Sequence, residues 1–135
     1  MILTISGVSG SGKTTLAEII LATYLTDSSI LESVTTREPR ERDLQDEFLY
    51  ITEAEFSRKE AHDDFLWTTK PIHGTRYGTL KESVDFALES TNHLYVMIIA
   101  PAYLQDLFLY RGSNVIKSIY IYSPGPENIA KRLRE

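Results

Sequence analysis

Apolar residues follow two periods along the chain, and these periods predict alternating strands and helices. Short continuous apolar runs are typical of buried parallel strands, whereas apolar residues spaced three and four apart indicate a helix with one buried face. An apolar run over 2–5 precedes a helical pattern over 13–25, and a second strand is predicted over 30–35. This order predicts a parallel β-α-β unit at the start of the chain.

Shorter elements and more turns follow in the middle of the chain. Strands are predicted over 48–51 and 65–69, with helices over about 52–60 and 79–89. Each helix is preceded by a threonine that is followed three residues later by a glutamate, the spacing of a capping box. The two pairs are Thr52 with Glu55 and Thr79 with Glu82. Strands and turns inserted between the elements of a parallel sheet predict a small subdomain that is held by that sheet.

The last third of the chain returns to longer elements. Strands are predicted over 93–100 and 116–122, with a helix over 103–110 between them and a last helix after Pro126. The whole pattern predicts a single α/β domain with a parallel core sheet. The predicted parts of this domain, 1–135, are a core of about 1–36 and 80–135 and an inserted subdomain of about 37–79.

Charge and composition narrow the classes of function. The formal net charge of the 135 residues is −5, which gives no broad basic surface for nucleic acid. The absence of cysteine excludes disulfides, thiol nucleophiles and cysteine-based metal sites. No signal peptide is visible, and the longest apolar run, 94–100, is too short to span a bilayer. A soluble, cytoplasmic protein that binds neither nucleic acid nor membranes is therefore expected.

One stretch carries a phosphate-binding pattern between a predicted strand and a predicted helix. The pattern G-x-x-x-x-G-K-S/T fits the stretch Gly7, Val8, Ser9, Gly10, Ser11, Gly12, Lys13, Thr14 and Thr15. Its glycines let backbone N–H groups point at an anion, and the helix adds the positive end of its dipole. The pattern predicts that residues 7–15 bind ATP, that Lys13 reaches the β- and γ-phosphates, and that Thr14 binds Mg²⁺. The alternative is a flexible Gly/Ser loop that matches the pattern by chance.

A charged segment follows the second predicted strand. Arg37 and Arg40 lie just past the end of that strand, and Pro39 keeps the segment out of a helix. In open α/β sheets ligands bind beyond the carboxyl ends of the strands, so two guanidinium groups there could hold a second phosphate. A solvated surface loop with local pairs of arginine and glutamate is an equally open interpretation.

Several further motifs stand in a fixed order along the chain. They are T-T-R-E-P-R at 35–40, F-L-Y-I at 48–51, G-T-R-Y-G-T at 74–79 and a proline-rich turn before Lys131-Arg132-Leu133. Together with the P-loop, these motifs resemble the guanylate kinase family over almost the whole chain. The resemblance implies a three-layer P-loop NTPase fold with an inserted subdomain that binds a nucleoside monophosphate. It also implies transfer of the γ-phosphoryl group of ATP to GMP or dGMP, with Mg²⁺.

The resemblance also implies roles for particular residues. Arg37, Arg40 and Tyr77 would hold the phosphate of the acceptor. Thr79 would hydrogen-bond the base, and Ser33 would lie beside it. Arg132 would lie near the phosphates of ATP. The residues expected to act on the transferred group are then Lys13, Arg37, Arg40 and Arg132. Because phosphoryl transfer depends mainly on placement and positive charge, the absence of an obvious general base fits this chemistry.

Departures from the family's pattern affect the expected base pocket. Phe48 stands where the family has a phosphate-binding tyrosine, and Trp67 stands where it has a guanine-reading glutamate. Two aspartates of the family's later strand fall within 96–99, which is apolar here. A pocket without these acids should discriminate bases poorly, since hydrogen bonds supply most base selectivity. Trp67 either stacks on the base or is a core aromatic, and the second interpretation is favoured.

Two other functions stay open beside a nucleoside monophosphate kinase. A kinase for another small phosphorylated acceptor would share the P-loop and the arginines and would need no guanine-reading acids. A non-catalytic binding module of the guanylate kinase type is the second, although such modules typically lose P-loop residues. Because the sequence ends at Glu135, most of the family's lid over ATP is expected to be absent. Small nucleotides are the expected partners, and the oligomeric state stays open.

Overall fold

The computed structural model describes residues 1–8, 10–71, 73–111 and 115–122, and also residues 127, 131 and 134. The strands are β1 (Ile2–Gly7), β2 (Ser28–Ile30), β3 (Ser33–Thr35), β4 (Phe48–Tyr50), β5 (Phe65–Thr68), β6 (Tyr77–Leu80), β7 (Leu94–Ile98) and β8 (Ile116–Ile121). The helices are α1 (Lys13–Thr23), α2 (Glu53–Ala61), α3 (Lys81–Glu89) and α4 (Leu104–Arg111), the last preceded by a 3₁₀ turn at Pro101–Tyr103. Within these described ranges, no helix has the length and hydrophobicity needed to cross a membrane.

A parallel sheet of four strands forms the centre of the fold. Its order is β2-β7-β1-β8, and every neighbouring pair is parallel. Ile2 of β1 belongs to a buried cluster with Val84 of α3 and Leu107 of α4, whereas Ile5 belongs to one with Ala17 of α1. Because successive strand residues point to opposite faces, α1 covers one face of the sheet, and α3 and α4 cover the other. This arrangement confirms the predicted α/β fold with a parallel core sheet.

A second, mixed sheet carries the middle of the chain. Its order is β4-β3-β6-β5, in which β3 and β4 are parallel and the other pairs are antiparallel. Helix α2 packs on this sheet, since Phe56 is fully buried and stacks on Phe65 of β5 with ring centroids 4.6 Å apart. The predicted capping box is present, because Thr52 and Glu55 each accept the other's backbone N–H through their side chains. The capping box therefore fixes the start of the helix that covers the mixed sheet.

The segment 30–35 contributes to two strands, and the prediction of one continuous strand is wrong. β2 pairs with β7 in the parallel sheet, whereas β3 pairs with β4 and β6 in the mixed sheet. Between them, buried Leu31 donates its N–H to the carbonyl of Val96 at 2.7 Å, and Ser33 donates its N–H to the carbonyl of Glu47 at 2.9 Å. The backbone groups of the two halves of this segment therefore form hydrogen bonds with two different sheets. Apolar periodicity alone cannot show such a change of partner.

The second predicted capping box is also wrong. Thr79 lies within β6, is buried, and pairs with Trp67 of β5. Helix α3 begins at Lys81 after an extended Leu80, without a side-chain cap. The N–H of Lys81 is accepted instead by the carbonyl of Asp64 at 2.9 Å. Because the strand continues up to the helix, the sheet holds Thr79 away from the capping position.

Most of the predicted last helix, including Arg132, lies outside the described residues; residues 127, 131 and 134, which the structure does describe, are helical. The division into a core and an inserted subdomain of about 37–79 stays a prediction. The strands of the mixed sheet extend over a slightly wider range, from Ser33 to Leu80.

Candidate active site

The loop between β1 and α1 leaves the start of a helix open. β1 ends at Gly7 and α1 begins at Lys13, with Gly12 at the N-cap in a left-handed conformation (φ 101°) and no side-chain cap. A Cβ at Gly7 would lie 2.7 Å from the Oγ of Ser11 and 2.9 Å from the carbonyl oxygen of Ile121, so the close packing of the loop requires glycine. An uncapped helix N-terminus beside a tight glycine loop is an arrangement that binds phosphate groups.

Two polar side chains of this loop suit a phosphate group. Lys13 folds back over the loop, and its Nζ donates to the carbonyl of Gly7 at 2.6 Å. Partial burial lowers the pKa of Lys13 from its ordinary value. The hydroxyl of Ser11 is buried without a hydrogen-bond partner among the described residues, so it fits an anion oxygen. Thr14 and Thr15 are exposed at the start of α1, and the loop is therefore accessible to an anion.

The P-loop faces a second loop across a shared cleft. The cleft has a volume of about 900 Å³ and is lined by Gly12, Lys13 and Thr14 on one side and by residues 41–44 on the other. Residues 41–44 continue the charged segment that follows β3. The P-loop therefore lies opposite the charged segment that follows β3, although Arg37 and Arg40 themselves are not among the residues that line the cleft.

Four side-chain hydrogen bonds anchor Arg37 in the charged segment. Its Nη1 and Nη2 donate to the two carboxylate oxygens of Asp43 at 3.0 and 2.9 Å, and its Nη1 also donates to the carbonyl of Glu38 at 2.9 Å. Its Nε donates to the hydroxyl of Tyr77 at 3.0 Å. The guanidinium carbon lies 4.9 Å from the ring centroid of Phe48. The side chain of Arg37 is only 8% exposed, so its charge is paired inside the protein.

A buried threonine connects this segment to the strand that carries Tyr77. Thr35 is fully buried at the end of β3, and its Oγ1 accepts the backbone N–H of Arg37 at 3.1 Å. The same hydroxyl donates to the carbonyl of Arg76 at 3.0 Å. Because Arg76 directly precedes Tyr77, one hydroxyl fixes the backbone of Arg37 relative to its side-chain partner.

Asp43 and Tyr50 lie at the centre of this network, and no sequence motif assigns a role to either of them. Besides the two bonds from Arg37, Asp43 accepts the hydroxyl of Tyr50 at 2.6 Å and the backbone N–H of Arg40 at 2.8 Å. The guanidinium of Arg37 holds the pKa of Asp43 well below its usual range. Burial and the bond to Asp43 raise the pKa of Tyr50 to about 12. One sequence feature could have pointed to Tyr50. It lies two residues after Phe48, so the two side chains share a face of β4.

The low pKa of Asp43 predicts an acid-sensitive fold. A carboxyl whose pKa is lower in the folded than in the unfolded chain stabilises the fold above its unfolded pKa of about 4, and this stabilisation is lost as the pH falls toward the folded pKa. We expect the free energy of unfolding to fall between about pH 4 and pH 2 in the wild type, and less steeply in Asp43→Asn. Urea denaturation across this range measures both slopes. Equal slopes in the two proteins would contradict the contribution of Asp43.

The structure brings some of the predicted site residues together. Tyr77 contacts Arg37, whereas Arg40 contributes its backbone N–H to Asp43 and has an exposed side chain. Ser9 and Arg132 lie outside the described residues. The roles in substrate binding and catalysis that the sequence assigns to these residues stay predictions.

A smaller cavity of about 220 Å³ extends from Tyr77 toward the core sheet. Its apolar and aromatic walls include Phe48, Trp67, Met97, Ile99 and Tyr103, and its hydroxyl-bearing walls include Ser33, Thr69 and Thr79. The rings of Trp67 and Tyr103 are stacked, with centroids 5.5 Å apart, and both pack against the main core cluster. Trp67 is therefore a core aromatic, as the sequence favours, and also a wall of this cavity.

One carboxylate lines the small cavity among the described residues, and it belongs to Glu47. Its Oε2 accepts the backbone N–H of Leu44 at 3.0 Å. Burial raises the pKa of Glu47 from its ordinary value. The floor near Met97 and Ile99 is apolar, so acids are absent from the strand positions where the guanylate kinase pattern has aspartates.

Comparison with known proteins identifies the family. A family model described as guanylate kinase matches residues 1–135. The chain is 32% identical to a guanylate kinase of Fusobacterium nucleatum over 96% of its own length and 68% of that protein, and 27% identical to one of Chlamydia abortus over 98% and 63%. The crystal structure of guanylate kinase from Anaplasma phagocytophilum shares the fold, with a TM-score of 0.68 and 18% identity over 99% of this chain and 65% of that one. The chain thus spans about two thirds of the length of these relatives. It belongs to the guanylate kinase family.

Proposed function

We propose that the chain catalyses ATP-dependent transfer of a phosphoryl group to a nucleoside monophosphate, with GMP and dGMP as the expected acceptors. The observation that carries this proposal is the shared cleft, which Lys13 and Thr14 line from one side and Asp43, the partner of Arg37, lines from the other. In-line transfer requires two phosphate sites that face each other, because donor and acceptor must be in contact. Membership of the guanylate kinase family supports the same reaction.

On the donor side, we assign the binding of ATP to residues 7–15. The uncapped start of α1, the buried hydroxyl of Ser11 and the amine of Lys13 suit the oxygens of a triphosphate. Thr14 has the position at which a P-loop hydroxyl holds Mg²⁺, an ion that neutralises charge on the phosphates. Arg132 is assigned to this side by its match to the family's motif alone.

On the acceptor side, the proposed phosphate contacts are Arg37, Arg40 and Tyr77. Thr79 and Ser33 line the adjoining small cavity, so we assign the base to that cavity. These residues belong to, or border, the proposed acceptor-binding subdomain of about 37–79. The acceptor's phosphate oxygen is already ionised at neutral pH, so the protein's task is to orient it and to surround the transferred group with positive charge.

The proposed partners are small nucleotides rather than nucleic acid, and the proposed compartment is the cytoplasm. The net charge of −5 supports this choice, because binding to a nucleic acid backbone depends on a basic surface.

An acceptor screen tests the proposed reaction. The release of ADP is followed with ATP, Mg²⁺ and each of GMP, dGMP, AMP, CMP and UMP, with Lys13→Ala as the control for contaminating kinases. We expect turnover with GMP and dGMP. Absence of turnover with all five nucleotides would contradict the proposal.

The apolar floor of the small cavity, at Met97 and Ile99, predicts weak discrimination among bases. A site that recognises a base by buried hydrogen bonds rejects the wrong one strongly, whereas an apolar pocket rejects it weakly. We therefore expect kcat/KM for GMP to exceed that for AMP by less than about a hundredfold. The same screen measures this ratio, and the KM for ATP, which should not depend on the acceptor, is its internal control. A preference for GMP of several thousandfold would show that the cavity recognises guanine by other groups.

The same apolar floor favours a second candidate, a kinase for another small phosphorylated acceptor. Such a reaction would use the P-loop and Arg37 in the same way and would not need acids beside Met97 and Ile99. Turnover with a phosphorylated sugar, in the absence of turnover with any nucleotide, would support this candidate. A non-catalytic module is disfavoured because Lys13 and Thr14 of the P-loop are intact.

A further inference from the structure

The guanidinium of Arg37 donates most of its N–H groups to acceptors within the protein. A guanidinium has five N–H donors, and four hydrogen bonds of Arg37 go to protein acceptors. Asp43 takes the two donors of its fork, and Tyr77 takes the donor on Nε. A phosphate that approaches Arg37 therefore meets a group whose orientation the protein has already set.

Asp43 is held more firmly than a surface acid in a salt bridge. Its side chain is 14% exposed and receives donors from three residues, Arg37, Tyr50 and Arg40. Charge-assisted hydrogen bonds of this number and length keep a carboxylate in place, because releasing it would leave several buried donors unsatisfied. An acceptor phosphate would then bind beside Asp43 and would not displace it.

Tyr50 takes up a role that sequence alone does not assign to it. In the family's pattern a tyrosine hydroxyl would come from the position of Phe48, which has none. The hydroxyl of Tyr50, two residues further on, is directed at Asp43 with a distance of 2.6 Å. The Arg37 guanidinium lies over the ring of Phe48, so Phe48 contacts Arg37 and Tyr50 bonds Asp43, and the centroids of the two rings are 6.0 Å apart.

We propose that Asp43, oriented by Tyr50, is a positioning residue that sets the Arg37 guanidinium for the phosphate of the acceptor. The inference rests on the proposed function in one respect, the binding of the acceptor's phosphate at Arg37. In this site a carboxylate lies beside a bound anion. The negative charge of Asp43 weakens the attraction between Arg37 and the acceptor's phosphate, but its hydrogen bonds fix the orientation of the guanidinium. Positioning therefore predicts weaker acceptor binding when the carboxylate is removed, whereas simple repulsion predicts tighter binding.

The test compares four variants of the full chain. Asp43→Asn removes the charge, Asp43→Glu restores it, and Tyr50→Phe removes one donor to Asp43. Asp46→Asn is the matched control, because it removes the same charge from the same segment at an exposed position. The measurements are the KM for GMP and for ATP, the dissociation constant of GMP by titration calorimetry, and the urea midpoint of unfolding.

We expect the KM and the dissociation constant for GMP to rise about tenfold in Asp43→Asn and about threefold in Tyr50→Phe, from the loss of charged hydrogen bonds. The KM for ATP should change less than about twofold in either variant, and Asp46→Asn should resemble the wild type. Asp43→Glu should recover part of the affinity for GMP, because it restores the carboxylate that holds Arg37. If Asp43 were purely structural, Asp43→Glu would change the urea midpoint and leave the affinity for GMP as it is in Asp43→Asn.

Several results would overturn the inference. Tighter binding of GMP by Asp43→Asn would show that the carboxylate repels the acceptor, and unchanged binding with a lowered urea midpoint would show a purely structural role. If the wild type binds GMP without turnover and Asp43→Asn weakens that binding, the inference stands and the proposed reaction fails. If the wild type does not bind GMP at millimolar concentration, both fail.

Discussion

Lys13→Ala is expected to lower the rate of phosphoryl transfer by about a thousandfold, because it removes the cation that would stabilise charge on the transferred group. The fold should survive, since within the described part of the chain the Lys13 side chain donates to the carbonyl of Gly7, which lies in an open loop. We expect the free energy of unfolding to change by less than about 1 kcal/mol. ADP release and urea denaturation measure the two quantities.

Lys117→Ala is a matched control for this experiment. Lys117 lies on β8 with an exposed side chain, so its removal takes the same charge from a position outside the cleft. Its rate of transfer should stay within about twofold of the wild type. If Lys13→Ala kept more than a tenth of the wild-type rate, the proposed role of the P-loop lysine would be wrong.

Arg37→Ala is expected to affect both stability and binding of the acceptor. Removing one partner of a buried ion pair leaves Asp43 without its counter-charge, which typically costs about 3 kcal/mol of unfolding free energy. We also expect the KM for the acceptor to rise at least about tenfold, through loss of a charged contact to its phosphate. Urea denaturation and steady-state kinetics report the two effects separately.

Arg40→Ala provides the comparison, because the side chain of Arg40 is exposed and only its backbone N–H bonds Asp43. It should raise the KM for the acceptor with little loss of stability. The double variant Arg37→Ala with Asp43→Ala should recover part of the stability lost in Arg37→Ala, since no unpaired carboxylate remains. Equal stability of Arg37→Ala and the wild type would contradict the burial of this pair.

Local sequence rules predict those elements whose partners are close in the chain. The P-loop, the first strand and helix α1 follow from one motif, and Thr52 caps α2 through Glu55, three residues away. The same rule fails at Thr79, because pairing with Trp67 in the sheet competes with capping and wins. The spacing of threonine and glutamate shows that a capping box is possible. Whether the threonine forms it depends on whether a neighbouring strand pairs with that residue.

The candidate site shows a similar limit. Motifs point to Arg37 and Tyr77, which the fold brings into contact although they lie 40 residues apart. They do not point to Asp43, because several acids surround Arg37 in sequence and each could pair with it. The choice depends on the path of the chain from 37 to 43 and on the position of Tyr50 in β4, neither of which is a property of residue spacing.

The link between the two sheets has a mechanical consequence. Only Leu31 and Glu32 separate β2 of the parallel sheet from β3 of the mixed sheet, and two residues reach at most about 7 Å. On the neighbouring, antiparallel strand of the mixed sheet, β6 runs from Leu80 directly into Lys81 of α3, beside the start of β3. Because both links are this short, we expect the mixed sheet to rotate relative to the parallel sheet and not to shift along it. We therefore expect the distance between P-loop and Arg37 to change by rotation about a line through Leu31 and Leu80.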